Sequence, residues 1–137
     1  MKTNKCCFLF SLAWVSVLAE ISETLRAEIN RYNSVLERLR VVSLNRQQLQ
    51  AELLEVEGAL KELEKVSENR VYKVVGRIVV SRPKDEIVKE LSERKETLTI
   101  RVQSLQKQES LLRKQLEELE KKLRRKLGGQ VGGAATS

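Results

Sequence analysis

Apolar residues in the first half of the chain recur at alternating steps of three and four, the spacing that places them on one stripe of an α-helix. Leu25, Ile29, Tyr32, Leu36 and Leu39 form one such run, and Val42, Leu49, Leu53, Val56, Leu60 and Leu63 the next. Arg46 fills a slot that the period assigns to the core. The three-residue step from Leu39 to Val42 is a stammer, which overwinds a supercoil locally. Gly58 weakens this helix by only about 1 kcal/mol. In the second half Val88, Leu91, Leu98, Val102, Leu105, Leu112, Leu116, Leu119 and Leu123 keep a heptad with apolar a and d positions. Lys95 and Glu109 take its two remaining seam positions, where a polar residue sets register or partner choice at a cost in stability. At 1.5 Å per residue the stretch from Lys84 to Leu127 makes a helix about 65 Å long.

Only Asn69 to Pro83 separate the two helices, and there the period changes. Val71-Tyr72-Lys73-Val74-Val75 and Ile78-Val79-Val80 are β-branched runs divided by Gly76-Arg77, a Gly-X pair suited to a type II′ turn. The unit reads as helix, β-hairpin, helix. So short a link folds the helices back antiparallel, with Leu25 near Leu127 and Leu36 near Leu116. A lone hairpin is marginal in water, and this one has apolar residues on both faces and two open edges. Oligomerisation through Val71, Tyr72, Val74, Val75, Gly76, Ile78, Val79 and Val80 is the expected remedy, because closure of several hairpins into a barrel satisfies every edge. The alternative is that the hairpin folds back on its own helices, which offer too little surface to cover both faces. At the other end Ile21, Leu25, Ile29, Leu119, Leu123 and Leu127 form the last layers of the coil. They serve either as plain core or as partly covered apolar groups able to grip other chains.

Composition agrees with long helices over a narrow seam: 33% of the 137 residues are charged and 4% aromatic. The chain has no histidine, the commonest general base and transition-metal ligand. Its only cysteines, Cys6 and Cys7, are adjacent, which does not suit a zinc site. Gly128-Gly129 and Gly132-Gly133 lack the strand before and helix after that a phosphate loop needs. No catalytic residue, metal site or cofactor is predicted. The formal charge of +7 gathers at Lys121, Lys122, Arg124, Arg125 and Lys126. That cluster reads as a solvated helix end complementing the helix dipole, or as a protein-docking patch. Nucleic-acid binding is disfavoured, because stacking aromatics and a continuous basic face are missing.

Residues 1–19 stand apart as an N-terminal extension. Lys2 and Lys5 precede an apolar run from Cys6 to Ala19, too short for a membrane span but similar to a secretory signal peptide with Val17-Leu18-Ala19 before its cleavage site. An over-extended start ahead of Ala19-Glu20-Ile21 is the other reading. Residues 20–127 form the helix–hairpin–helix domain, and residues 128–137 a Gly/Ala-rich tail expected to be disordered.

The hairpin Val71–Val80 followed by Lys84-Asp85-Glu86 resembles the beta-subunit pattern of archaeal-type prefoldin. Similar too are Glu62-Leu63-Glu64-Lys65, Lys95-Glu96-Thr97-Leu98, Leu105-Gln106-Lys107-Gln108-Glu109 and Gln115-Leu116-Glu117-Glu118-Leu119. The resemblance spans about residues 20–127, and a link with room for one hairpin fits the beta class. It implies a mainly α fold, a coiled coil of two long antiparallel helices whose hairpin joins other subunits in a β-barrel. It further implies an ATP-independent, cytoplasmic holdase without a membrane or nucleic-acid partner. Two alpha-type and four beta-type subunits make the hexamer in this family. Client proteins meet the arm tips (here Ile21, Leu25, Ile29, Leu119, Leu123 and Leu127) and pass to a group II chaperonin, with Lys121, Lys122, Arg124, Arg125 and Lys126 as the docking candidates. A cytosolic partner favours the over-extended start. The alternative from another class is a structural coiled-coil scaffold anchored at a membrane by residues 6–19, which gives no reason for a hairpin.

Overall fold

The computed structural model describes the backbone of residues 3–135 and the side chains of residues 14–16, 19 and 22–128. Helix α1 runs Thr3–Lys65, strands β1 and β2 are Arg70–Val75 and Ile78–Pro83, and helix α2 runs Lys84–Ala135. The chain divides into two compact units, Arg40–Ser110 and the pair of segments Met1–Leu39 and Leu111–Ser137.

In the unit Arg40–Ser110 the apolar period does what the sequence predicts. Val42, Val56, Leu98 and Val102 are buried, and Leu98 is wholly so at 0% exposure. The antiparallel register follows from side-chain pairs across the helices: Arg46 with Glu109, Glu52 with Arg94, and Glu57 with Lys95. Ile87 is also buried, although the heptad assigns the core to its neighbour Val88, which is half-buried. The hairpin supplies the reason. Its base adds apolar surface at the start of α2, where Leu63, Val66, Val71, Ile87 and Leu91 line one hollow of about 340 Å³.

The hairpin is a two-stranded antiparallel sheet with Arg70 opposite Pro83 and Val75 opposite Ile78. Gly76 has φ of +60° and Arg77 does not have positive φ, which is the type II′ pattern and not type I′. A side chain at Gly76 would be strained whatever the space around it. The junctions are tied by few bonds. The Val66 amide donates to the Leu63 carbonyl at 3.3 Å and closes the end of α1. The Lys84 amide donates to the Asn69 carbonyl at 2.8 Å, and the Lys84 ammonium to the Val66 carbonyl at 2.6 Å. Asp85 and Glu86 in the first turn of α2 oppose its positive end.

In the other unit Leu112 and Leu119 are buried, and Tyr32, Val35, Leu36, Leu39, Leu116 and Leu123 half-buried. Lys126 pairs with Glu28 at 2.7 Å, which sets the same antiparallel register there. The backbone of α2 runs to Ala135. No described helix is long and apolar enough to cross a membrane.

Candidate functional site

The hairpin is an apolar element that the rest of the chain covers little. Paired residues across the strands share a face, so Val71, Lys73, Val75, Ile78, Val80 and Arg82 point one way. Arg70, Tyr72, Val74, Val79, Ser81 and Pro83 point the other way. Both faces are open toward the turn: Tyr72 is 74% exposed and Val74 70%, and Val75, Ile78, Val79 and Val80 are exposed as well. Only Val71 and Arg82, at the base, are half-buried. Apolar surface of this kind removed from water is worth about 25 cal/mol per Å². The sequence-predicted assembly residues thus come together on one small sheet, and the chain's own helices cover little of it.

Charged contacts hold that sheet to α2. Lys73 donates to Glu90 Oε2 at 2.8 Å, and Arg82 donates to Glu90 Oε1 at 2.6 Å and to Glu86 Oε2 at 3.2 Å. The Lys73 ammonium, and after it the Arg82 guanidinium, hold the Glu90 carboxyl below the usual carboxylate range. Glu90 and then Glu86 in turn raise Arg82. The sequence reading missed this network. Its signal was available: two cations on one hairpin face, and two acids four residues apart at the start of the following helix.

The polar seam residues resolve into a pair. Arg46 Nε donates to Glu109 Oε2 at 2.6 Å, and Arg46 Nη1 to Gln50 at 2.8 Å. Glu109 is only 7% exposed. Each was legible alone as a polar residue at a core slot. The antiparallel register brings them together.

The sequence-predicted tip residues lie inside the helices, since α1 begins at Thr3 and α2 runs to Ala135, and they separate by exposure. Ile29 is 41% and Leu127 48% exposed; Leu25 and Leu123 are half-buried; Leu119 is buried in the seam. The side chain of Ile21 lies outside the described residues, as do those of Cys6 and Cys7. Lys121, Lys122, Arg124, Arg125 and Lys126 are all exposed. Arg124 pairs with Glu120 at 2.7 Å and Lys126 with Glu28, so Lys121, Lys122 and Arg125 are the members without an ion pair among the described residues. No group of side chains able to hold a metal ion occurs among the described residues.

A family model described as prefoldin subunit matches residues 26–130. The prefoldin subunit beta of Pyrobaculum neutrophilum is 41% identical over 118 residues, covering 85% of this chain and 94% of that protein. The chain belongs to the prefoldin family, in its beta-subunit class. The prefoldin subunit beta of Archaeoglobus fulgidus is 38% identical over 84% of this chain and all of its own length. Among solved structures, the prefoldin beta subunit from Thermococcus strain KS-1 superposes with a TM-score of 0.68 at 35% identity, over 74% of this chain and 90% of that one. The fold is thus the prefoldin beta fold, mainly helical with one hairpin. Prefoldin is a chaperone family whose subunits assemble with one another.

Proposed function

We propose that this prefoldin subunit is part of an ATP-independent holdase in the cytoplasm. Its hairpin joins a β-barrel in a hexamer of two alpha-type and four beta-type subunits. The observation that carries the reading is the exposure of large apolar side chains in the hairpin and at Ile29 and Leu127 of a highly charged chain. The hairpin has open strand edges as well, which call for further strands. Ile29 and Leu127 are exposed apolar groups on helices, without such edges, which suits weak contact with many unfolded sequences and requires no defined motif. Ile29 and Leu127 are the leading client contacts, with Leu25 and Leu123 beside them. Ile21 stays a candidate from its sequence position, while Leu119 belongs to the seam. Lys121, Lys122 and Arg125 are the freest cations for docking on a group II chaperonin, with Arg124 and Lys126 flanking them.

The test mixes the full chain with an alpha-type prefoldin subunit and follows aggregation of a denatured protein without ATP. Suppression is expected, and Leu123→Ser with Leu127→Ser should remove it while the hexamer persists. A well-formed hexamer that suppresses nothing would sink the holdase reading and leave the family and fold untouched.

A further inference from the structure

Glu90 is the side chain, among the described residues, that holds both strands of the hairpin at once. One carboxylate oxygen takes Lys73 of β1 and the other takes Arg82 of β2. The strand register puts these two cations on the same face, with Val71, Val75, Ile78 and Val80. That face is therefore drawn onto the first turns of α2, and its base closes over Val66, Ile87 and Leu91. On the opposite face only Tyr72, toward the base, borders that hollow, and no ion pair ties the face to α2 among the described residues. Tyr72 and Val74 are largely exposed there, and Val79 is 63% exposed.

A sheet in an oligomeric barrel or sandwich turns one face inward, and facing sheets pack about 10 Å apart. An α-helix with its side chains is about 10 Å across, so the face that carries α2 at its base has no room for a second sheet there. Turning it inward would also strip water from Lys73, Arg82, Glu86 and Glu90 together, a desolvation that their mutual attraction does not readily offset. On the other face the obstacles are smaller, because Arg70 is its one charged side chain and lies at the end farthest from the turn. Its polar members sit toward the helices, where Arg70 Nε donates to Ser81 Oγ at 3.1 Å and Tyr72 stands opposite Ser81. Its valines, Val74 and Val79, face each other nearer the turn. Such a gradient suits an apolar interior with a wet rim, where the tyrosine hydroxyl keeps its water.

We infer that the hairpin enters its assembly with the Tyr72–Val74–Val79 face inward, and that Glu90 is the positioning residue that turns it that way. The inference rests on the reading that hairpins of prefoldin subunits pair with one another. The partner is a hairpin of the same kind, offering a strand edge and a β-branched face. The outer edges of β1 and β2 are unpaired in this chain, which favours a strand as occupant over a helix.

Four single variants of the full chain test it: Val74→Lys and Val79→Lys on the inward face, Val75→Lys and Ile78→Lys on the other. Each position is at least half exposed, so circular dichroism should show unchanged helix content. Assembly with the alpha-type subunit, titrated by mass photometry, should weaken on the order of a hundredfold or more for the first two, since a lysine there is buried unpaired. It should weaken less than about tenfold for the second two. Glu90→Gln alone should weaken assembly about three- to tenfold. Placed under the four lysine variants, it should also narrow the difference between the faces, which a residue merely supporting the fold would not do. A larger loss from Val75→Lys and Ile78→Lys, or equal losses from all four, would overturn the face assignment while leaving hairpin pairing in place. Undiminished assembly in all four would remove the pairing reading itself, and this inference with it. Unchanged selectivity in the Glu90→Gln background would overturn the part given to Glu90.

Discussion

The seam around Leu98 and the hairpin from Val71 to Val80 are both rich in aliphatic residues, yet they end in opposite surroundings. Leu98, Val102 and Val56 are covered because a second helix of the same chain lies over them. Tyr72, Val74 and Val79 have strand partners within the hairpin but little over their faces. A helix saturates its own backbone, so two of them need only a shared apolar stripe. A two-stranded sheet leaves half its edge groups and a whole face open. The seam is thus completed within the chain, whereas the hairpin is left open. Stability measured on the isolated subunit reports mostly on the first, and assembly on the second.

Breaking the seam should give the largest effect. Leu98→Ala is expected to cost about 2–5 kcal/mol, read as a fall in the thermal midpoint of the isolated chain. Val74→Ala on the hairpin should stay within about 0.5 kcal/mol in the same assay. If the two losses were similar, the contrast between the regions would collapse. Next comes Glu109→Ala, which leaves the Arg46 guanidinium in the seam without its carboxylate. Loss of one partner of a buried pair costs about 3–5 kcal/mol, and the partial exposure of Arg46 places this case at or below the lower end. Replacing both by leucine should recover much of that in denaturant titrations, because two charges no longer need desolvation.

A smaller effect is expected from acid at the hairpin base. The folded Glu90 carboxyl lies below its unfolded value, so its contribution is complete above the unfolded value and fades as pH falls through the folded one. Amide exchange in β1 should therefore speed up, beyond its intrinsic pH dependence, as the solution is acidified below the ordinary carboxylate range. Glu90→Gln should flatten that response. The smallest effect on folding belongs to Lys121→Ala, Lys122→Ala and Arg125→Ala, each within about 0.5 kcal/mol. Binding to a group II chaperonin, followed by surface plasmon resonance, is where their loss should appear.

The helices and the turn were legible because each rests on local rules. A heptad placed Leu98 and Leu112, and Gly-X between β-branched runs placed Gly76. Contacts that need two segments at once were harder to read. Arg46 and Glu109 are far apart in sequence and met only when the register was fixed. Ile87 is buried by the hairpin base, to which a heptad is blind. The Glu90 network required knowing which hairpin face lies over α2. At the tips, periodicity listed Leu119 and Leu127 alike, and only burial separated them.

The open edges of the hairpin also bear on the life of a newly made chain. Until its partners arrive, the subunit displays a short, valine-rich, unpaired ribbon, the kind of surface by which proteins aggregate. Its folded population then depends on how much partner is present, since whatever binds only the folded form draws the equilibrium toward it. Matched synthesis of the partner subunits would therefore act as a safeguard, shortening the interval in which a folding helper itself resembles a misfolded protein.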